Sequence, residues 1–188
     1  MRKRAIFFLL STMIALSALT VGCSKSALDL YKAEVKKNPN SPQAHNNLAY
    51  KLTQMKQYEA ALKEYDKSLE LRPGDFLAAN NKGFILYNMG RYNEAIAVFS
   101  KLIKQEPSNS LLWNNVAMCF HKMKKYSEAY AFYSKSLELN PLNSQASNGM
   151  KILQDEMKKA KLPFPPSPAP APQATEKIPA TPNAKVAK

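Results

Sequence analysis

The sequence predicts an all-α chain built from repeated helical hairpins. Three observations carry that reading. The chain resembles itself at a spacing of 34 residues, seen in "AHNNLAY" at Ala44, "AANNKGF" at Ala78 and "LWNNVAM" at Leu112. Only 5 of 188 residues are Gly, and strand-like alternation is hard to find. A proline closes each copy, at Pro73, Pro107 and Pro141, where no helix can continue.

The period divides the centre of the chain into Pro42–Asp75, Phe76–Asn109 and Ser110–Asn143. Their second halves align without gaps: "QYEAALKEYDKSLELRP", "RYNEAIAVFSKLIKQEP" and "KYSEAYAFYSKSLELNP". Tyr58, Tyr92 and Tyr126 open the second helix of each unit. Ala61, Ala95 and Ala129 are small where two helices must approach closely. Tyr65, Phe99 and Tyr133 follow four residues later on the same face and supply bulk. Leu69, Ile103 and Leu137 continue that stripe. Glu59, Glu94 and Glu128 recur near the second-helix starts, where a negative charge complements the helix dipole.

These columns resemble the tetratricopeptide repeat (TPR) family over Pro42 to Asn143. Trp113 matches the aromatic residue that family carries early in its first helix, whereas His45 and Ala79 stand there in the other units. Lys82 replaces a usual Leu, and its stem can still cover apolar surface. Ala49, Gly83 and Ala117 match the family's small residue. The resemblance implies a helical-hairpin solenoid of three full repeats. "SALDLYKAEVKKNP" resembles a lone second helix, with Ala27 and Tyr31 in the small and aromatic columns, and makes an N-terminal half-repeat. Residues 144–161 read as a C-terminal capping helix with Met150, Leu153 and Met157 on one face, so the repeat domain runs over 26–161.

Both ends read as something other than this fold. Met1-Arg2-Lys3-Arg4 followed by apolar Ala5 to Thr20 is an export signal. "TVGC" resembles a bacterial lipoprotein signal covering residues 1–22, in which Cys23 is lipidated and becomes the first mature residue. Thr20 stands where that family prefers Leu, and the alternative is an uncleaved anchor in the inner membrane, since Ala5 to Cys23 nearly spans a bilayer. Either reading places the remainder in the cell envelope, outside the cytoplasm. The absence of Asp after Cys23 favours the outer membrane by family analogy. Residues 163–188 hold eight of the 13 prolines and cannot build a core. They are expected to be a disordered spacer, or a ligand for an aromatic-lined groove.

Loss of residues 1–22 takes three of the 27 basic residues, leaving 24 against 14 acidic and a net charge of +10. Such a surface can attract lipid headgroups, an anionic wall polymer or acidic proteins, and nucleic acid is a poor match for an exported chain. With Cys23 acylated, Cys119 has no intramolecular partner and reads as a small buried thiol.

On a helical wheel His45, Leu48, Ala49 and Leu52 form the core face of the first unit, and the Asn pairs point away from it. The pairs are Asn46-Asn47, Asn80-Asn81 and Asn114-Asn115. The second members match a family habit. Asn46, Asn80 and Asn114 are less usual, and Asn148 continues their row into the capping helix. By the resemblance this side lines a concave groove, similar to the peptide-holding grooves of sugar-transferase TPR domains. A row of carboxamides, each with two donors and an acceptor, matches an extended peptide backbone. Tyr50, Phe84, Tyr87, Leu111, Met118 and His121 would add contact and selectivity. The carboxylate-docking mode of chaperone-binding relatives is not expected: Asn81 matches, but Asn46, Tyr50, Leu111 and Asn115 occupy other clamp positions and none is basic. No catalytic constellation, metal-ligand spacing or phosphate loop is present in the sequence, so neither enzyme activity nor a cofactor is expected. The implied function is an adaptor for a peptide or protein partner, in envelope, pilus or secretion assembly. The alternative is a basic structural protein of the cell wall or membrane without a groove ligand.

Overall fold

The computed structural model describes residues 27–163. The signal, Cys23 and residues 164–188 of the proline-rich tail lie outside the described residues. Among the described residues the chain is all-α, with eight helices. The first, α1, spans 27–37. It is followed by α2 (Pro42–Gln54), α3 (Tyr58–Leu71), α4 (Phe76–Asn88), α5 (Tyr92–Gln105), α6 (Ser110–Lys122), α7 (Tyr126–Leu139) and α8 (Ser144–Lys159). No described helix is long and apolar enough to cross a membrane. Two compact units form, one ending at Ala78 and one beginning at Ala79.

Starts and stops follow local chemistry. Ser41 Oγ accepts the Ala44 N–H at 3.2 Å and Pro42 sits in the first turn of α2. Asp75 Oδ1 caps Ala78 N–H at 3.0 Å, Asn109 caps Leu111 N–H at 3.2 Å and Asn143 caps Ala146 N–H at 3.2 Å. Within each hairpin the turn contains one left-handed residue: Lys56 and Lys124 at φ 58° and Gly90 at φ 76°. The next N–H then reaches back five residues, from Gln57 to Leu52, Arg91 to Leu86 and Lys125 to Phe120, each at 2.9 Å.

In the first unit α2 packs on α3 through Leu48, Ala49, Leu52, Ala61, Leu62 and Tyr65, all buried. His45 is buried beside them, as the wheel predicts. Its Nε2 donates to the Pro39 carbonyl at 2.9 Å, and Nδ1 faces Glu64 Oε2 at 2.7 Å. In the second unit Trp113 Nε1 donates to the Pro107 carbonyl at 2.8 Å. His45 thus makes the bond of the aromatic residue it replaces, to a proline carbonyl six residues back. Tyr31 departs from expectation: α1 buries Leu28, while Tyr31 is 38% exposed.

The second unit stacks α4 through α8. Phe99, Ile103, Tyr133, Leu153 and Met157 are buried, and Phe120 and Trp113 close on Phe132 at 5.3 and 5.7 Å between ring centroids. Gly83 and Gly149 are required by close approach. A Cβ at Gly83 would lie 2.6 Å from the Phe99 ring, and one at Gly149 would lie 2.6 Å from the Tyr133 ring. Ser136 Oγ donates to the Ser110 carbonyl at 2.8 Å and accepts from Asn143 Nδ2 at 3.0 Å, tying the junction between α7 and α8 to the start of α6.

Candidate functional site

A groove of about 560 Å³ lies within the second unit. Its walls come from three first-of-hairpin helices. Phe84 and Tyr87 project from α4 one turn apart, with ring centroids 6.4 Å apart. Met118, His121 and Lys122 project from α6 at the same spacing, and Lys124 adds a second cation from the turn beyond. The α8 wall carries Gln145, Asn148, Gly149, Ile152 and Glu156, a continuous helical stripe. Tyr133 of α7 reaches the groove over Gly149.

The groove combines apolar rings with a polar centre. Phe84 is 44% and Ile152 45% exposed, so both present free apolar surface. His121 stands between the Tyr133 hydroxyl, 3.4 Å from Nδ1, and Glu156 Oε2, 3.3 Å from Nε2. Burial holds the Tyr133 hydroxyl in its neutral form well above the usual tyrosine range. Burial raises Tyr87 as well. Both phenols therefore act as neutral donors and acceptors at any physiological pH. Lys122 and Lys124 leave the rim basic.

The residues singled out in the sequence divide into three groups. Phe84, Tyr87, Met118, His121 and Asn148 line this groove together. Asn46 and Tyr50 belong to the first unit, where Tyr50 is 55% exposed. Asn80 is half-buried on α4 and does not line the groove, and Leu111 is exposed on α6.

Asn114 corrects the wheel. It was expected on the exposed side, but it is fully buried, and Asn115 is buried beside it. The six residues Leu112 to Ala117 are all buried, more than one helical turn, because α6 packs against α5, α7 and α8 at once. Asn114 Nδ2 contacts Met118 Sδ at 3.4 Å, and its Oδ1 is buried without a hydrogen-bond partner. Asn114 can position Met118 from behind and is not among the residues that line the groove. Asn46 Oδ1 is likewise buried and unpartnered.

Tyr133, Gln145, Gly149, Ile152 and Glu156 were not singled out. For the α8 residues the signal was present. Gln145, Ile152 and Glu156 fall 34 residues after Leu111, Met118 and Lys122. Carrying those columns one period further finds the wall. Tyr133 gave no such signal, since its column reads as core.

Comparison with known proteins supports the fold. A family model described as "Psidin, N-terminal TPR repeats region" matches residues 46–150, and one described as "Tetratricopeptide repeat" matches residues 12–76. No curated protein matches the chain. Among solved structures, MamA (residues 41 to the end) from Desulfovibrio magneticus RS-1 is 20% identical with a TM-score of 0.67, covering 79% of this chain and 84% of that one. YrrB, described as a TPR protein with an unusual peptide-binding site, is 20% identical with a TM-score of 0.64, covering 71% and 69%. The first TPR of Spaghetti (RPAP3), solved bound to an HSP90 peptide, is 17% identical with a TM-score of 0.58, covering 63% and 94%. At these identities the solved structures show a shared fold. Helices opening at Pro42, Phe76, Ser110 and Ser144, the small and aromatic columns between them, and a family model matched across 46–150 lead to one conclusion: the chain belongs to the tetratricopeptide-repeat family.

Proposed function

We propose that this protein is an exported, lipid-anchored adaptor that holds an extended segment of a protein partner in the groove of its second unit. The observation that carries the reading is the meeting of aromatic rings and exposed amides on the walls of one groove: Phe84 and Tyr87, Met118, then Asn148 and Gln145. Rings and thioether supply apolar contact, and the carboxamides bind alternating N–H and C=O groups of a peptide backbone without regard to its side chains. Binding of this kind needs no covalent chemistry and no cofactor. Two solved relatives, YrrB and Spaghetti (RPAP3), are described by their peptide site or bound peptide.

Anchoring rests on "TVGC", with Cys23 as the acylated residue and a membrane surface of the envelope as the location. A family match that begins at residue 12 overlaps the predicted signal. The mature N-terminus therefore discriminates. Mass spectrometry should find an acylated Cys23 as the first residue, and a fatty-acid label should be lost in Cys23→Ala. A mature chain that keeps residues 1–22 overturns the anchor assignment.

The groove is tested by cross-linking in intact cells followed by identification of the captured protein. Two contacts at the centre of such a site are worth roughly 1–2 kcal/mol each. Phe84→Ala with Asn148→Ala should therefore lower capture at least about tenfold. Unchanged capture, with retention governed by anionic wall polymer and by salt, would replace the adaptor with the basic structural protein.

A further inference from the structure

We infer that the chain carries a ligand for its own groove: the proline-rich segment that begins at Pro163. This rests on the groove being a peptide site, and it adds regulation of that site. Residues 163–172, "PFPPSPAPAP", contain six prolines and no charge. Such a run favours polyproline II, whose carbonyls point outward without internal bonds and whose ridged surface fits between aromatic rings. The groove offers both halves of that recognition. Phe84 and Tyr87 are the rings, and Asn148 and Gln145 hold side-chain donors for carbonyls. An uncharged segment also avoids repulsion from Lys122 and Lys124.

The described chain ends close to the groove's α8 wall. The groove's α8 wall runs from Gln145 to Glu156, and α8 ends at Lys159, one turn further on. There Lys161 adopts φ 53° and Leu162 N–H reaches back to the Met157 carbonyl at 3.0 Å. This cap ends the helix by turning the backbone away from its axis. The wall is about 16 Å long at 1.5 Å per residue. Roughly six residues in polyproline II span that length at 3.1 Å each, so 163–172 is long enough. A segment tethered this closely has a local concentration on the order of 1 mM, which fills a site of about 100 µM affinity to roughly nine-tenths. A partner must then displace it, and its apparent affinity falls by about tenfold. Only segments that bind well enough to expel the tail would be retained.

The test uses the full chain with Phe164→p-benzoylphenylalanine. Irradiation should link position 164 to groove residues, Met118 foremost because benzophenones favour the C–H bonds beside sulfur, with a yield independent of protein concentration. Ile152→Lys, on an exposed site, should cut that yield several-fold while the helical signal is unchanged. Links only to residues outside the groove, or none, overturn the assignment. In a mixture of isotope-labelled and unlabelled chains, links that join the two populations overturn the own-chain placement in favour of a second copy. If position 164 fails to link while Phe84→Ala with Asn148→Ala still abolishes partner capture, the tail assignment falls and the partner groove stands.

Discussion

Gly83→Ala separates close packing from helix propensity, because the two give opposite signs. In an open helical site, replacing Gly by Ala stabilises by about 0.8–1 kcal/mol. At Gly83 the new Cβ would sit 2.6 Å from Phe99 Cε1 and 2.7 Å from Cζ, where ordinary contact begins at 3.4 Å. Phe99 is 1% exposed, so its ring cannot swing into solvent. The α4–α5 pair must open, or the ring must leave its rotamer, and overpacking of that kind costs about 1–3 kcal/mol. The net expectation is a destabilisation of about 1 kcal/mol, or roughly 3–5 °C in the thermal midpoint. Circular dichroism of the full chain against temperature reads this directly. Phe99→Leu in the same background should recover part of the loss, giving a favourable coupling of about 1 kcal/mol. A midpoint that rises in Gly83→Ala would refute the argument that Gly83 exists to admit the Phe99 ring.

Three further outcomes follow from other places in the fold. Left-handed geometry at the hairpin turns costs a residue with a Cβ about 1 kcal/mol, so Gly90→Ala should lower the thermal midpoint and Lys124→Gly should raise it by a smaller amount. Burial pushes the Cys119 thiol up to about 12, which leaves roughly one part in ten thousand as thiolate at pH 8; iodoacetamide should modify it only after denaturant is added. Glu94 is held below the usual carboxylate range by two 2.7 Å hydrogen bonds from Arg91. A depressed carboxyl contributes stability above its unfolded value and loses it as pH falls through the folded value. An NMR titration of the Glu94 side chain should therefore show a low midpoint that moves up in Arg91→Gln.

The period was enough to place the helices because it is enforced by local chemistry at both ends. Caps such as Ser41 and Asn143 start helices, and prolines such as Pro73 and Pro141 stop them. Groove residues were legible wherever one turn of a first helix stays uncovered, as for Phe84, Met118 and Asn148. Asn114 was not, since a wheel assigns a helix one buried face and α6 has neighbours on several sides. The left-handed lysines were hidden for a different reason. Gly90 advertises that conformation, but Lys56 and Lys124 adopt it at the same point of the period with no sequence mark, held by the bond that reaches back five residues.

The groove owes its depth to the point where the Asn pattern breaks. Asn46, Asn80 and Asn114 are each followed by a second Asn, but Asn148 is followed by Gly149. An Asn at 149 would need the space that the Tyr133 ring occupies 2.6 Å from the position of its Cβ. Removing that side chain lets Tyr133 lie across α8 and bring its hydroxyl within 3.4 Å of His121. In turn His121 is set toward Glu156 on the α8 wall. The same row that is sealed in the core at Asn114 thus opens at Asn148, where only one side of the last helix is packed: Ala146, Leu153 and Met157 are buried and Asn148 is not. Gly149→Ala should therefore differ from Gly83→Ala. Tyr133 is as buried as Phe99 but borders the groove of about 560 Å³, so part of the overpacking there can be relieved by displacing the ring into that space. The expected result is a smaller loss of stability than at Gly83 and a larger loss of partner capture. Equal losses of stability at the two glycines, with capture unchanged, would show that the Tyr133 ring plays no part in shaping the groove.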